Sequence, residues 1–110
     1  MNSLMTMALQ ESIDRLEIIS GNTTRTHIEL EAIYKKHQDD ILTISRLISI
    51  ANDVKNTSEN KIDMIKNLEN LMLSKQKDVS ELRKLIDYTE STSTELGKAR
   101  SWIKGTMETV

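Results

Sequence analysis

The stretch that decides the fold is residues 28–51, IELEAIYKKHQDDILTISRLISIA. From Leu30 to Ala51 a ladder of positions recurs at alternating steps of three and four residues, and most of these positions, such as Ile44, are apolar. This period places them on one face of an α-helix. Additional apolar residues such as Leu47 widen the face, so we expect it to contact two neighbouring helices.

The same ladder extends from this stretch in both directions. It reaches Ile13 toward the N-terminus and Ile65 toward the C-terminus. Beyond Ile65, a ladder shifted by three residues contains more apolar positions than the continuation of the first. Such a shift is a stammer in a coiled coil. The first ladder comprises Ile13, Leu16, Ser20, Thr23, His27, Leu30, Tyr34, His37, Ile41, Ile44, Ile48, Ala51, Lys55, Ser58, Ile62 and Ile65. The second comprises Leu68, Met72, Lys75, Val79, Leu82, Ile86, Thr89, Ser93, Leu96, Arg100, Ile103, Met107 and Val110.

The composition favours long helices. The 110 residues include no proline, three glycines and no cysteine, and 37% of them are apolar, against about 45–50% in ordinary globular domains. Few residues interrupt a helix, and apolar material for a self-sufficient globule is scarce. The cysteine-free sequence also excludes a disulfide scaffold, a cysteine-ligated zinc module and a thiol enzyme.

Two polar gaps in the ladder are predicted breaks. The first, residues 20–27, contains Gly21 as a helix end and Thr26 as the start of a capping box. The second, residues 52–60, is rich in Asn and Ser and offers Asn56 as a cap. Gly21 favours a turn at the first gap, whereas the second gap has no glycine and leaves open whether the chain bends near Asn56.

These breaks, with a further restart at Thr92, predict helices of about 3–20, 25–53 and 58–96 and a short C-terminal helix of about 95–108. We predict an all-α fold, with one helical domain over residues 1–110 that forms an antiparallel bundle or coiled coil and is oligomeric. The alternative is one or two continuous long helices, because the first ladder keeps its register through both gaps.

The charge pattern excludes the most obvious non-protein partners. Fifteen basic and seventeen acidic residues are interspersed and give a net charge of −2, so no block attracts a phosphate backbone. No run approaches the roughly 18 apolar residues of a membrane span, and the first ten residues lack the pattern of a signal peptide. We expect no nucleic-acid partner, no transmembrane segment, at most weak contact with a membrane surface, and a cytoplasmic location.

The sequence contains no recognisable catalytic motif. It has no G-x-S-x-G elbow, no glycine-rich phosphate loop and no H-E-x-x-H. Its two histidines, His27 and His37, have Glu31 and Asp40 at helical spacing, which is compatible with a divalent ion. Hydrogen-bonded side chains along a weak packing face are the simpler interpretation. We predict that the protein is not an enzyme and has no cofactor or metal.

The predicted site residues are the apolar packing positions of the ladders. We expect them to form a helix-packing or oligomer interface; they are Ile41, Ile44, Ile48, Ile65, Leu68, Met72, Leu82 and Ile86. Trp102 and Ile103 are predicted partner contacts, because a lone aromatic at the end of a ladder usually packs on a neighbouring helix. The cations around it, Lys98, Arg100 and Lys104, give a membrane surface or an RNA strand as the alternative.

One glutamine carries a family resemblance. Gln76 lies between Met72 and Val79 on the continuation of the first ladder. This arrangement resembles the central glutamine layer of the membrane-fusion SNARE helices. The chain departs from the apolar layers of that family at Thr89, Ser93 and Arg100. The residues therefore support a resemblance and not membership.

The function that these patterns favour is a non-enzymatic oligomerisation or scaffolding module. It would mediate protein–protein interaction in a larger assembly through helix–helix packing, with copies of itself or other helical subunits as partners. The resemblance suggests a SNARE-like helix for membrane tethering or fusion as one alternative. A small helical substrate or chaperone of a secretion system is the other.

Overall fold

A computed structural model of the chain describes residues 3–55 and 58–109. These residues form two α-helices, α1 (Ser3–Asp53) and α2 (Glu59–Thr109), each of 51 residues. No strand occurs in the described ranges, so the predicted all-α fold with long amphipathic helices is confirmed. The predicted cap Asn56 and the last ladder position, Val110, lie outside the described residues.

The break predicted at residues 20–27 is wrong, because α1 continues through it. Thr23, a polar residue on the ladder, donates its hydroxyl to the Ile19 carbonyl oxygen at 2.9 Å and is thereby satisfied within the helix. Gly21 has no positive φ and an open surrounding. It therefore costs the helix only about 0.5–1 kcal/mol relative to alanine, which is too little to end it.

The restart predicted at Thr92 is wrong for the same reason, and α2 continues to Thr109. Thr94 donates its hydroxyl to the Glu90 carbonyl oxygen at 3.1 Å. A run of Ser and Thr residues thus remains helical when these hydroxyls bond to the preceding turn. The separate helices predicted at 3–20, 25–53, 58–96 and 95–108 are consequently parts of two longer ones.

The second predicted gap does contain the turn of the chain. The Val54 amide still donates to the Ile50 carbonyl oxygen at 3.2 Å, which marks the end of α1. Ser58 is the N-cap of α2, because its side-chain oxygen accepts from the Lys61 amide at 3.3 Å and its carbonyl oxygen accepts from the Ile62 amide. The Lys61 ammonium also donates to the Val54 carbonyl oxygen and ties the two helix ends together.

The described residues divide into two compact units. Unit 1 comprises those of Met1–Glu29 and Ile86–Val110, and unit 2 comprises those of Leu30–Leu85. Within unit 1 the segments of α1 and α2 are antiparallel, since Glu17 contacts Arg100 and the later His27 contacts the earlier Thr89.

Unit 2 is an antiparallel helical hairpin. Its two segments are joined by the turn, and Lys75 on α2 contacts both His37 and Asp40 on α1. The predicted antiparallel helices are therefore present, and their packing is within one chain.

The buried side of each helix follows the ladders. From Ile13 to Ala51, every position of the first ladder is buried or half-buried in α1. In α2 the second ladder is buried or half-buried from Leu68 onward, except at the exposed Arg100, and Ile65 falls in phase with it. We call these positions the seam.

The predicted continuation of the first ladder across the turn is wrong at Ile62, which is exposed. The chain reverses direction before α2, so the phase of α2 is set by packing on α1 and is independent of the phase of α1. The three-residue shift therefore accompanies a turn and is not a stammer in one continuous helix.

Two neighbouring residues of unit 2 test the seam assignment. Ile44 is 6% exposed and Leu42 is 57% exposed. Ile44→Ala is expected to lower the free energy of unfolding by about 2–5 kcal/mol, because it opens a cavity in the seam. Leu42→Ala is the matched control and should change it by less than about 0.5 kcal/mol. Thermal or urea denaturation followed by far-UV circular dichroism measures both, and equal effects would contradict the seam.

Candidate interaction surface

The two edges of the seam differ in chemistry. In heptad notation the seam occupies positions a and d, and positions e and g flank it. In an antiparallel pair the g positions of both helices fall on one edge and the e positions on the other. The grooves of unit 2 reflect this geometry, since one is lined by g residues such as Ile33 and Leu85 and another by e residues such as Gln38 and Gln76.

The g edge of unit 2 is mostly apolar, and we call it the apolar edge. Its helical positions are Ile33, Asp40, Leu47, Met64, Leu71, Asp78 and Leu85. The four largest aliphatic members, Ile33, Leu47, Leu71 and Leu85, remain 45–50% exposed. Half of each of these side chains is thus covered by the hairpin, and the other half faces outward.

The e edge of unit 2 is polar by contrast. Its positions are Glu31, Gln38, Ser45, Asn52, Ile62, Glu69, Gln76 and Arg83, of which only Ile62 is apolar. Two exposed leucines, Leu42 and Leu73, lie further out at b positions and are separated from the seam by the polar e residues. Continuous apolar surface beside the seam therefore occurs on one edge only.

The apolar edge is arranged in layers. Ile33 and Leu85 line one groove together. Asp40 lies seven residues after Ile33 on α1, and Asp78 lies seven residues before Leu85 on α2. Both aspartates are therefore one heptad closer to the connection between the helices. Because both helices rise by the same ~1.5 Å per residue, the register that pairs Ile33 with Leu85 also pairs the two aspartates.

A further heptad brings Leu47 to the level of Leu71. The edge thus presents an aliphatic layer, an acidic layer and a second aliphatic layer in that order. Exposed apolar side chains that cluster along one edge typically mark an interaction surface.

A polar cluster underlies the acidic layer. The Lys75 ammonium donates to Asp40 Oδ2 at 3.2 Å and to His37 Nδ1 at 3.3 Å. An ammonium can only donate, so His37 Nδ1 accepts and the imidazole proton is on Nε2. The pair His37 and Asp40, which the spacing made compatible with a divalent ion, is therefore occupied by the cation of the chain itself.

Unit 1 has its own polar layer in the seam. The Thr89 hydroxyl donates its single proton to the Ile86 carbonyl oxygen at 2.8 Å, so it accepts the proton of His27 Nδ1 at 2.7 Å. His27 Nε2 lies 4.0 Å from a carboxylate oxygen of Glu90. No buried side-chain N or O atom of the described residues lacks a hydrogen-bond partner. The Thr89 hydroxyl and the His27 Nδ1–H therefore both have partners within the seam.

Arg100 adds an ion pair at the margin of the unit 1 seam. Its guanidinium contacts Glu17 Oε1 at 2.7 Å, and both side chains are about half exposed. Exposed pairs of this kind contribute about 0–1 kcal/mol. The ion pair with Glu17 therefore explains why Arg100, the exposed residue among the described positions of the second ladder, is charged. It does not indicate a binding site.

The residues predicted to pack all lie in the seam. Ile44 and Ile86 are buried, and the other members of the set are half-buried: Ile41, Ile48, Ile65, Leu68, Met72 and Leu82. The second helix of the same chain already covers them, and their role in an oligomer interface stays a prediction. Of the two predicted partner contacts, Ile103 is buried and Trp102 is 67% exposed.

The residues of the apolar edge were only partly recognisable in the sequence. The widened face around residues 28–51 already indicated a second contact surface through Ile33 and Leu47. The alignment of Asp40 with Asp78 was not visible, because it depends on the register between the two helices.

No protein-family model, curated protein or solved structure matches this chain. Neither described helix combines the length and hydropathy needed to cross a membrane.

The polar layer of unit 1 gives a test of how the seam accommodates hydroxyls. Thr89→Val is expected to cost about 1–3 kcal/mol, because the His27 N–H loses its acceptor in a part-buried site. His27→Leu combined with Thr89→Val should cost less than the two single changes added together, since both partners are then apolar.

Thr94→Val is the control, because this exposed hydroxyl bonds only to its own helix. Its effect should stay within about 0.5 kcal/mol. Urea denaturation of the three variants and the double variant gives the coupling energy. Strictly additive costs would show that His27 and Thr89 do not interact.

Proposed function

We propose that this protein is a non-enzymatic interaction module that holds other helices in a larger assembly, and that it binds them through the apolar edge of unit 2. The observation that carries the proposal is the half-exposed aliphatic set Ile33, Leu47, Leu71 and Leu85 on one edge of the seam. Helices that pack on two neighbours typically have such a broadened apolar face.

The energetics favour a partner that spans several layers. Full burial of a Leu or Ile side chain contributes about 1.5–3 kcal/mol, so covering the remaining half of one contributes roughly 1 kcal/mol. Association costs on the order of 4–15 kcal/mol in lost freedom of motion. Covering all four side chains together contributes roughly 4 kcal/mol, the lower end of this cost. The proposal therefore requires a partner helix that lies along the hairpin and also buries apolar side chains of its own.

The alternative functions draw on fewer features of the described residues. Gln76, the residue behind the resemblance to SNARE helices, is exposed on the polar edge. Membrane tethering and a role in secretion therefore remain predictions from the sequence, as does a cytoplasmic location. The packing role draws on both helices of unit 2.

Site-specific photo-crosslinking in the native cell tests the proposal. A photoreactive phenylalanine analogue placed at Leu47 or Leu71 should yield discrete adducts, because a partner helix lies against these positions. The same analogue at Ser45 or Gln76 on the polar edge is the matched control and should yield none. The adduct mass separates a second copy from a different protein. Equal crosslinking from both edges, or none from either, would overturn the proposal.

A further inference from the structure

The acidic layer of the apolar edge restricts what can bind there, and this inference rests on the proposed function. The groove beside it is lined by Asp78, Glu81, Leu82 and Leu85 of α2. Among the described residues neither Asp78 nor Glu81 has an ion pair, whereas Asp40 is paired with Lys75. The acidic layer thus contains one paired aspartate, Asp40, and one without an ion pair, Asp78, with Glu81 in the adjoining groove.

A second copy of the chain is a poor occupant of this edge. In a two-fold dimer the same edge of each copy packs against the other. In one alignment, the two aliphatic layers of one copy contact the two aliphatic layers of the other. The acidic layers of the two copies, each with Asp40 and Asp78, then contact one another. A shift by one heptad instead buries the aspartates against leucine. Like charges in contact and unpaired buried charges both oppose association.

A cation on the partner removes this conflict. We propose that the occupant is an amphipathic helix of a different protein, with a lysine or arginine in the middle of its apolar stripe. Apolar residues seven positions before and after this cation reach the two aliphatic layers, because all the helices share the same rise per residue. The cation then meets Asp78, with Asp40 and Glu81 nearby. The acidic layer acts as a specificity element that selects a basic partner over a second copy.

Two synthetic helical peptides are the probes. Each has about 28 residues, or four heptads, with leucine in every layer except a central one. That layer holds lysine in one peptide and glutamate in the other. Fluorescence anisotropy of the labelled peptides titrated with the full chain gives the two affinities. The lysine peptide is expected to bind roughly tenfold tighter or more, since it pairs with the acidic layer while glutamate is repelled.

Substitutions in the chain then test whether the preference for the lysine peptide comes from the acidic layer. Asp78→Lys should reverse the preference, and Asp78→Asn should reduce it without reversing it. Gln76→Lys adds the same charge to the polar edge and should leave the preference unchanged. Leu71→Asp should abolish binding of both peptides. Far-UV circular dichroism confirms that each variant is helical before it is used.

The outcomes separate this inference from the proposed function. Equal affinities for both peptides, lost together in Leu71→Asp, would overturn the basic-partner inference and retain the docking surface. Failure of both peptides to bind, or binding that Leu71→Asp leaves intact, would overturn the docking surface itself. Light scattering of the chain alone should show no association through this edge, so the mass should be the same for the unchanged chain and for Leu71→Asp. A dimer that Leu71→Asp dissociates would assign the edge to a second copy and overturn the inference.

Discussion

Each helix of this protein has one stripe of side chains to remove from water, and only the other helix covers it. The alternation of three- and four-residue steps keeps the stripe on one side of each helix, and the reversal of the chain between α1 and α2 brings the two stripes together in unit 2. A helix without a packing partner is marginally stable in water. The stability of long helices with this composition therefore depends on packing in the seam.

Three polar residues of the seam, Thr23, His27 and Lys75, each have a hydrogen-bond partner. Thr23 bonds to its own helix, His27 bonds to Thr89, and Lys75 serves both His37 and Asp40. Such layers contribute less burial than leucine would. A satisfied polar layer in a coiled coil instead specifies register. Here the layers fit one antiparallel alignment of α1 and α2 within each unit.

A two-helix seam leaves its edges uncovered, and the edges of unit 2 differ. Polar e residues end the packing on one edge, whereas half-exposed Ile33, Leu47, Leu71 and Leu85 extend it on the other. In the proposed function, further helices add to the hairpin along this apolar edge. The aspartates between its aliphatic layers are proposed to make this edge selective. Affinity and specificity in this proposal come from the same seven-residue spacing.

The sequence by itself determined the all-α fold, the members of the seam in α1 and most of those in α2, because periodicity reports which side of a helix is apolar. It did not determine where the helices end. Gly21 and the threonines near residue 92 break helices only weakly, and the hydroxyl of a threonine such as Thr23 is satisfied by the carbonyl oxygen of the preceding turn. Only tertiary structure decided that α2 turns back on α1. That reversal sets the register between the helices, and the register alone brings Asp40 to the level of Asp78 and Leu47 to the level of Leu71.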